Sequence, residues 1–493
     1  MENAFSVQRG GRRQVLVHTT AYLIARGLPG VIAFLAIPLF TRLLQPVDYG
    51  RYALLVATVN LLGALLFQGL RLSLVRYLPT CASPPARLKS TLVTTILLLL
   101  GFVGVLAVLL CLAPSTHRWW PELLGGWLLL ALMAMFELCS EYLRTVLRPW
   151  DYMLLQLTRS AGLIGLGGTF ILLGAGWWGP AAGMVGGMGL AVAWSYFKDW
   201  RDVRLDIDRG LLRQLSQYGI PLSLTVVLAQ LMGTSDRLLI GALIGEGAAG
   251  LYSVAADLAS QTVTLLMMAV YLAVFPLAVH AWEQEGPAAA TAQMQYNASL
   301  LLALGVPCVV GMVILTPGIS HCLLGSNYRQ AASGVFPLIA VAAFVGGFKA
   351  YHFDAALQFA HRTIDQVWIV LVAVVANILM NLLAIPLVGI KGAATVSVLT
   401  YTIAVGLSIK WGRRYAVLPF PARPAVQVTL ASAVMAAVLY PLRGHISPMA
   451  LAGQVTAGVA VYAVVLLSCN FLDLRPTIRR KCRAAPVADG AAM

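Results

Sequence analysis

Residues 44–52 read LQPVDYGRY, a short polar stretch between two long apolar runs. A similar stretch, IGEGAAGLY, occurs at residues 244–252, with the glycine and the final tyrosine aligned. Recurrence at corresponding positions is typical of internal repeats, so we expect a chain built from two similar halves. In each copy the glycine suits a tight turn, and the tyrosine, Tyr52 or Tyr252, suits an aromatic anchor at the membrane interface.

The composition indicates a membrane protein. Of the 493 residues, 59% are hydrophobic and 11% are charged, whereas soluble domains carry roughly 25% charged residues. The net charge of +15 would suit nucleic acid only if it formed a contiguous basic face. The Lys and Arg residues instead lie in short clusters between apolar runs, which argues against nucleic acid as a partner and favours a positive-inside topology.

Fourteen stretches are long and apolar enough to span a bilayer, for which a helix needs about 20 residues. This pattern predicts an all-α polytopic membrane protein. The expected spans are residues 15–41, 52–75, 91–113, 121–143, 153–174, 177–197, 216–243, 250–279, 297–316, 334–358, 366–386, 391–411, 424–441 and 450–472.

The basic residues predict the sidedness of these spans. With the N-terminus inside, 23 of the 34 Lys and Arg residues fall on the cytoplasmic side and 6 outside, while the other 5 lie within or beside spans. This bias predicts that both termini are cytoplasmic. One loop, residues 281–296, departs from it, because it carries two Glu residues and no base. The first span contains Arg26 and lacks a small-residue cleavage site, so we expect a retained helix and not a signal peptide.

The connection between the sixth and seventh spans is rich in charges of both signs and is interpreted as a linker. Each half then has six spans, an even number, so the halves are expected to be parallel repeats. The predicted organisation is a cytoplasmic N-terminus at 1–14, an N-lobe at 15–197, the linker at 198–217, a C-lobe at 218–415, two further helices at 424–472 and a cytoplasmic tail at 473–493.

Ionisable residues inside the spans point to a lumen, because a charge at the bilayer centre costs at least about 2.5 kcal/mol unless it faces a cavity or a partner. Arg26 and Lys349 are the strongest candidates, since they are deep, lack a partner within their own helices and lie one in each half. Basic residues suit an anionic ligand such as phosphate. The predicted substrate-binding residues are Arg26, Arg71, Arg159, Arg237, Lys349 and His352. The predicted coupling residues, for a proton or a sodium ion, are Glu137, Glu141, Asp236, Asp257 and Asp354.

Structural roles are open alternatives at several of these positions. The fourth span carries a continuous polar face of four residues, Glu137, Glu141, Arg144 and Arg148. Its two arginines, and Arg159, lie close enough to an interface to snorkel. Asp236 and Arg237 suit structural ion pairs as well as transport, and Asn377 and Asn381 share a helix face that suits hydrogen bonding between helices.

Catalysis and metal binding have no support in the sequence. The seven cysteines form no CxxC pair, so neither a disulfide framework nor a metal site is predicted. No catalytic motif occurs, and the loops predicted to be external are too short for a catalytic domain. The expected protein is therefore not an enzyme and needs no cofactor beyond a coupling ion.

Three groups of residues are similar to the polysaccharide transporter flippases, the Wzx-type exporters of O-antigen and exopolysaccharide within the multidrug/oligosaccharidyl-lipid/polysaccharide superfamily. They are PLFTRLL at 38–44 followed by DYGRY at 48–52, Gly69-Leu70 with Arg76-Tyr77, and NILMN at 377–381 with IP at 385–386 and GIKGAAT at 389–395. The resemblance runs from about Val15 to Tyr415.

The resemblance implies two six-helix lobes that alternate access around a central cationic cavity for the pyrophosphate-sugar head of a polyprenyl-linked oligosaccharide. It implies a flippase of the bacterial inner membrane that moves this lipid to the periplasmic leaflet for O-antigen, exopolysaccharide or capsule assembly. The implied partners are membrane lipid, the polyprenyl-linked glycan, and polymerase and chain-length proteins, with a monomer as the functional unit. The alternatives are a lipid II or multidrug exporter of the same superfamily, and a membrane polymerase or ligase of the same pathway.

Overall fold

A computed structural model describes residues 30–32, 34–80, 85–112 and 119–473 of the chain. The regular secondary structure in these ranges is helical throughout. Twelve of the described helices are long and apolar enough to cross a membrane. The predicted class, an all-α polytopic membrane protein, is confirmed.

The long helices follow the predicted spans one by one, and a short helix, Thr316–Leu323, lies between two of them. They are α1 (Gly30–Leu43), α2 (Pro46–Tyr77), α3 (Ala86–Leu112), α4 (Trp120–Thr145), α5 (Pro149–Ala175), α6 (Trp178–Ser195), α7 (Arg209–Leu243), α8 (Glu246–Gln284), α9 (Pro287–Ile314), α10 (Ser326–Phe359), α11 (Ile364–Val388), α12 (Ile390–Gly412), α13 (Ala422–Leu442) and α14 (Pro448–Ser468). The two that are not among the twelve are α1, whose described part is short, and α6, which has 18 residues. The helices are thus consistent with the expected fourteen spans.

The chain divides into two compact units. Unit 1 comprises residues 1–254 and 370–396, and unit 2 comprises residues 255–369 and 397–493. This division by packing does not follow the predicted repeats, because α7 and the junction of α11 with α12 belong to unit 1. The two sequence-repeat lobes therefore stay a prediction.

The predicted linker at 198–217 is helical in its second half. The α7 helix begins at Arg209, because Asp208 caps it by accepting a hydrogen bond from the Leu211 backbone N–H at 3.0 Å. An N-cap side chain satisfies one of the backbone donors that a helix leaves free at its start.

In unit 1, α2 and α7 pack against each other in opposite directions. Gly69 meets Gly219, and a Cβ on Gly219 would overlap the Gly69 carbonyl oxygen. One turn further along α2, the Ser73 hydroxyl donates to the Leu215 carbonyl at 2.8 Å. Small residues let the backbones of membrane helices approach this closely.

The two similar stretches of the sequence contact each other in unit 1. A Cβ on Gly50 would overlap the carbonyl oxygen of Glu246, and one on Gly250 would overlap that of Pro46. Beside them, Arg51 Nε donates to Glu246 Oε2 at 2.7 Å. Because α2 begins at Pro46, most of the first stretch is helix. The expected reason for the glycine, a tight turn, is wrong, since the crossing of two helices requires it.

In unit 2, side chains attach the two C-terminal helices to the rest. The Tyr462 hydroxyl of α14 donates to the Ala303 carbonyl of α9 at 2.8 Å. Gln454 Nε2 donates to the carbonyls of Leu442 and His445, at 2.7 and 3.0 Å, and so closes the connection between α13 and α14. These helices are therefore packed parts of unit 2.

Candidate functional site

The first of the two strongest candidates cannot be placed. Arg26 lies outside the described residues, as do His18 and Tyr22 on the same predicted span. The assignment of Arg26 to substrate binding stays a prediction.

Two arginines of unit 1 lie against consecutive residues of α4. Arg71 Nη1, from α2, donates to Glu137 Oε2 at 3.0 Å, and its Nη2 donates to Gln68. The Arg159 guanidinium, from α5, lies 5.4 Å from the centre of the Phe136 ring. We name these five residues the α4 cluster. It contains two guanidinium groups and one carboxylate, and in the described part of the chain no acid pairs with Arg159.

The α4 cluster lies inside the spans. At 1.5 Å per residue, Arg71, Glu137 and Arg159 are about 9, 12 and 15 Å from the nearer ends of α2, α4 and α5. The Arg71 side chain is 16% exposed. The Arg159 guanidinium rests on a ring of the neighbouring helix, an arrangement that favours a cation–π contact over snorkelling along its own helix. The cluster therefore combines partial burial with an excess of positive charge.

The continuous polar face predicted for the fourth span is wrong at its last member. The α4 helix ends before Arg148, whose Nη1 donates to Asp199 Oδ1 at 2.6 Å and whose Nε donates to Asp151 at 2.5 Å. Burial lowers the pKa of this guanidinium, but the two carboxylates outweigh that effect and the pKa is raised. Glu141 pairs with Arg144 of its own helix at 2.6 Å. Arg148 thus links the end of α4 to Asp151 at the start of α5 and to Asp199 after the end of α6.

A buried network centred on Asp236 joins three helices of unit 1. Asp236 Oδ2, on α7, accepts from the Tyr252 hydroxyl of α8 at 2.7 Å, and its Oδ1 accepts from Asn381 Nδ2 of α11 at 2.7 Å. Asn377 Oδ1 accepts from Asn381 Nδ2 at 3.1 Å and from the Ser235 hydroxyl at 2.8 Å. All five side chains are buried. The interhelical role that was the alternative for the two asparagines is confirmed.

Tyr252 belongs to this network and not to the membrane interface. It is 4% exposed, and its hydroxyl is bound to Asp236. Tyr52, its counterpart in the first stretch, also points inward, with its hydroxyl 3.3 Å from Met184 Sδ. The expectation of an interfacial anchor is therefore wrong for Tyr252, whose hydroxyl turns towards a buried acceptor, whereas Tyr52 is half-buried and its interfacial role stays a prediction.

Lys349 has a partner within its own span. The backbone of α10 forms a π-helical turn at Lys349–Phe353, and Asp354 Oδ2 lies 2.7 Å from Lys349 Nζ. The carboxylate also accepts from the Ser408 hydroxyl of α12 at 2.8 Å and from Gln366 Nε2 of α11 at 3.3 Å. The expectation of an unpaired Lys349 is wrong, because a π-helical turn brings residues five apart together, which ordinary helical spacing does not.

The remaining candidates are neighbours of these groups in the sequence. His352 is fully buried and contacts the rings of Phe348 and Phe353, and neither of its ring nitrogens has a hydrogen-bond partner in the described part of the chain. Arg237 and Asp257 are half-buried on α7 and α8, and both make polar or electrostatic interactions. Within the described ranges, no group of three or more His, Cys, Asp or Glu residues could hold a metal ion.

Long apolar helices with ion pairs and polar networks between them define a polytopic membrane protein. The chain belongs to the polysaccharide biosynthesis protein family, whose model matches residues 12–282. The resemblance predicted from the sequence motifs is thereby confirmed. A comparison with curated proteins found no significant match.

Solved structures share the fold. The chain is similar to a lipid II flippase, MurJ, in an inward closed conformation, with a TM-score of 0.74 and 14% identity, over 92% of this chain and 99% of that one. It is also similar to MATE family multidrug resistance transporters of the MOP superfamily. An inward-facing form has a TM-score of 0.58 and 14% identity, over 80% of this chain and 97% of that one. An outward-facing form has a TM-score of 0.52 and 15% identity, over 80% and 93%.

Proposed function

We propose that the protein is a flippase for a polyprenyl-pyrophosphate-linked oligosaccharide. It moves this lipid from the cytoplasmic to the periplasmic leaflet of the bacterial inner membrane by alternating access, for assembly of O-antigen, exopolysaccharide or capsule. The family match supports a role in polysaccharide biosynthesis, and the shared fold supports membrane transport. In this proposal the chain acts as a monomer with cytoplasmic termini, supplies its cargo to polymerase and chain-length proteins, and performs no catalytic step.

The α4 cluster is the observation that carries the proposal. Glu137 accepts a hydrogen bond from Arg71 and orients it, while Arg159 has no acidic partner among the described residues. The cluster therefore keeps a net positive charge inside the membrane, where an uncompensated cation is unfavourable. A pyrophosphate supplies the missing negative charge, and guanidinium groups bind its oxygens in a planar, bidentate geometry. A cationic drug would be repelled there, which disfavours the multidrug alternative.

Coupling to a proton or a sodium ion is part of the proposal. Of the candidate acids, Glu137, Glu141 and Asp354 form ion pairs with basic side chains. Asp236 accepts hydrogen bonds from Tyr252 of α8 and Asn381 of α11, so a change in its charge would act on the packing of three helices at once. We therefore propose Asp236 as the coupling residue.

The experiment uses liposomes that contain the purified protein and a fluorescent polyprenyl-pyrophosphate oligosaccharide. Movement between leaflets is followed with a quencher that does not cross the membrane. Arg159→Gln should slow transfer about 10- to 100-fold, because a hydrogen bond to a charged group contributes roughly 1.5–3 kcal/mol. The control variant, Arg209→Gln with Arg213→Gln, removes two exposed charges from the start of α7 and should transfer at the wild-type rate.

Other outcomes would point elsewhere. Wild-type transfer by Arg159→Gln would remove the α4 cluster from the substrate path. Faster movement of lipid II or of a cationic dye than of the oligosaccharide would assign the protein to one of the alternative exporters. Transfer of sugar by the purified protein would make it an enzyme. Unchanged dependence on sodium and pH gradients in Asp236→Asn would contradict the coupling assignment.

A further inference from the structure

A cavity of about 320 Å³ opens in unit 2 where α12 ends. One wall is the last part of α12, with Ser408, and Arg413 directly after the helix. A second wall comes from Phe353 and Ala356 of α10, and a third is the connection at residues 416–420. The distribution of basic residues predicts that this end of α12 is cytoplasmic, which places the cavity at the cytoplasmic boundary of the membrane.

The wall formed by the connection is apolar. Residues 416–420 read AVLPF, and the Phe420 side chain is 54% exposed. Just before them, the Tyr415 hydroxyl accepts a hydrogen bond from Arg362 Nε at 3.1 Å and donates one to Asp365 at 2.8 Å. The start of the connection is therefore anchored, and apolar side chains remain accessible along it.

Positive charge accompanies this wall. Four basic residues flank residues 416–420 in the sequence, Lys410, Arg413, Arg414 and Arg423. The sequence contains no Asp or Glu at positions 366–472. Among the described residues, none of the four basic side chains forms an ion pair with an acid. The cavity thus joins an apolar wall to Arg413, and the other three basic residues lie within ten residues of it in the sequence.

We propose that this cavity binds an anionic phospholipid of the cytoplasmic leaflet. The lipid phosphate pairs with Arg413, and the first part of an acyl chain contacts Phe353 and Phe420. Clusters of Lys and Arg next to membrane helices, and basic pockets between them, recognise anionic headgroups. A soluble phosphate would leave the apolar wall unused, and an apolar ligand would leave the cations uncompensated. This proposal is independent of the transported substrate.

Bound lipid would act on a buried part of unit 2. Ser408, in the cavity wall, donates its hydroxyl hydrogen to Asp354 Oδ1 at 2.8 Å, and Asp354 pairs with Lys349. A lipid in the cavity therefore lies next to the contact between α10 and α12 that Ser408, which is itself fully buried, makes with Asp354. A ligand that binds the folded state stabilises it, so the lipid should raise the unfolding temperature of the protein.

The test measures lipid adducts of the detergent-purified protein by native mass spectrometry. Phosphatidylglycerol is titrated against phosphatidylcholine with the same acyl chains. Each basic residue near an anionic lipid should contribute about fivefold in affinity, so Arg413→Gln with Arg414→Gln should weaken phosphatidylglycerol binding about 25-fold. The matched control, Arg209→Gln with Arg213→Gln, removes the same charge from exposed positions that do not line the cavity and should bind as wild type.

Two further variants keep all the basic residues. Ala416→Phe fills the cavity, and Val417→Asp places a carboxylate on its rim, where the native residue is 65% exposed. Both should abolish the preference for phosphatidylglycerol and its effect on the unfolding temperature. The proposal is overturned if Val417→Asp binds as wild type, if the control pair weakens binding as much as the test pair, or if inorganic phosphate at equal concentration stabilises the protein as well as phosphatidylglycerol.

Discussion

Replacing Lys349 with Met should destabilise the protein measurably. The substitution removes the cation that lies 2.7 Å from Asp354 Oδ2 and leaves a carboxylate whose side chain is 3% exposed. Removing one partner of a buried pair costs about 3–5 kcal/mol, because the remaining charge stays buried. Ser408 and Gln366 still donate to Asp354, so we expect the lower value. At roughly 2.1 cal/mol/K per residue, a chain of 493 residues shifts by about 1 °C per kcal/mol, so the unfolding midpoint should fall by about 3 °C.

A neutral pair provides the matched rescue. Lys349→Met combined with Asp354→Asn leaves no buried charge, and the amide oxygen can still accept from Ser408, so most of the lost stability should return. Lys198→Met is the control, since its ion pair with Asp151 involves a lysine side chain that is 43% exposed and should contribute less than about 1 kcal/mol. The midpoints are measured on purified protein by tryptophan fluorescence and by size exclusion after heating.

Two results would refute this reasoning. One is a double variant no more stable than Lys349→Met, and the other is a single variant that unfolds at the wild-type temperature. The stable double variant then separates structure from transport. Normal oligosaccharide transfer would make Lys349 a structural residue, whereas lost transfer would support its predicted part in substrate binding.

Two further variants test the packing of unit 1. Gly219→Ala should cost about 1–3 kcal/mol of stability, because its Cβ would overlap the Gly69 carbonyl. Gly233→Ala on the same helix is the control, since its Cβ meets no atom within 4 Å and the change should be neutral or slightly stabilising. Thermal unfolding compares the two variants. Arg71→Glu should impair lipid transfer in liposomes, and adding Glu137→Arg should restore stability by reversing the ion pair. A reversed pair as unstable as the single variant would show that the two side chains do not act together.

Much of the architecture was predictable because it depends on neighbouring residues. Apolar runs of about 20 residues locate spans without knowledge of their packing, and the observed helices lie at each predicted position within the described ranges. The partners of buried charges were not predictable in this way. Helical spacing places Arg148 on a face of α4 although the helix ends before it. A π-helical turn, which pairs Lys349 with Asp354, has no reliable signal in the sequence.

The glycines separate what the sequence predicts from what only the tertiary structure shows. The repeated stretches revealed that Gly50 and Gly250 occupy corresponding positions, yet only the three-dimensional arrangement showed that the two stretches touch. Hydropathy and motifs by themselves determined the class, the positions of the spans and the family. The tertiary structure decided which side chains meet, as for Asp236 with Tyr252 and Asn381. The physical reason is that a contact between helices depends on the facing surfaces of segments far apart in the chain, which local periodicity does not encode.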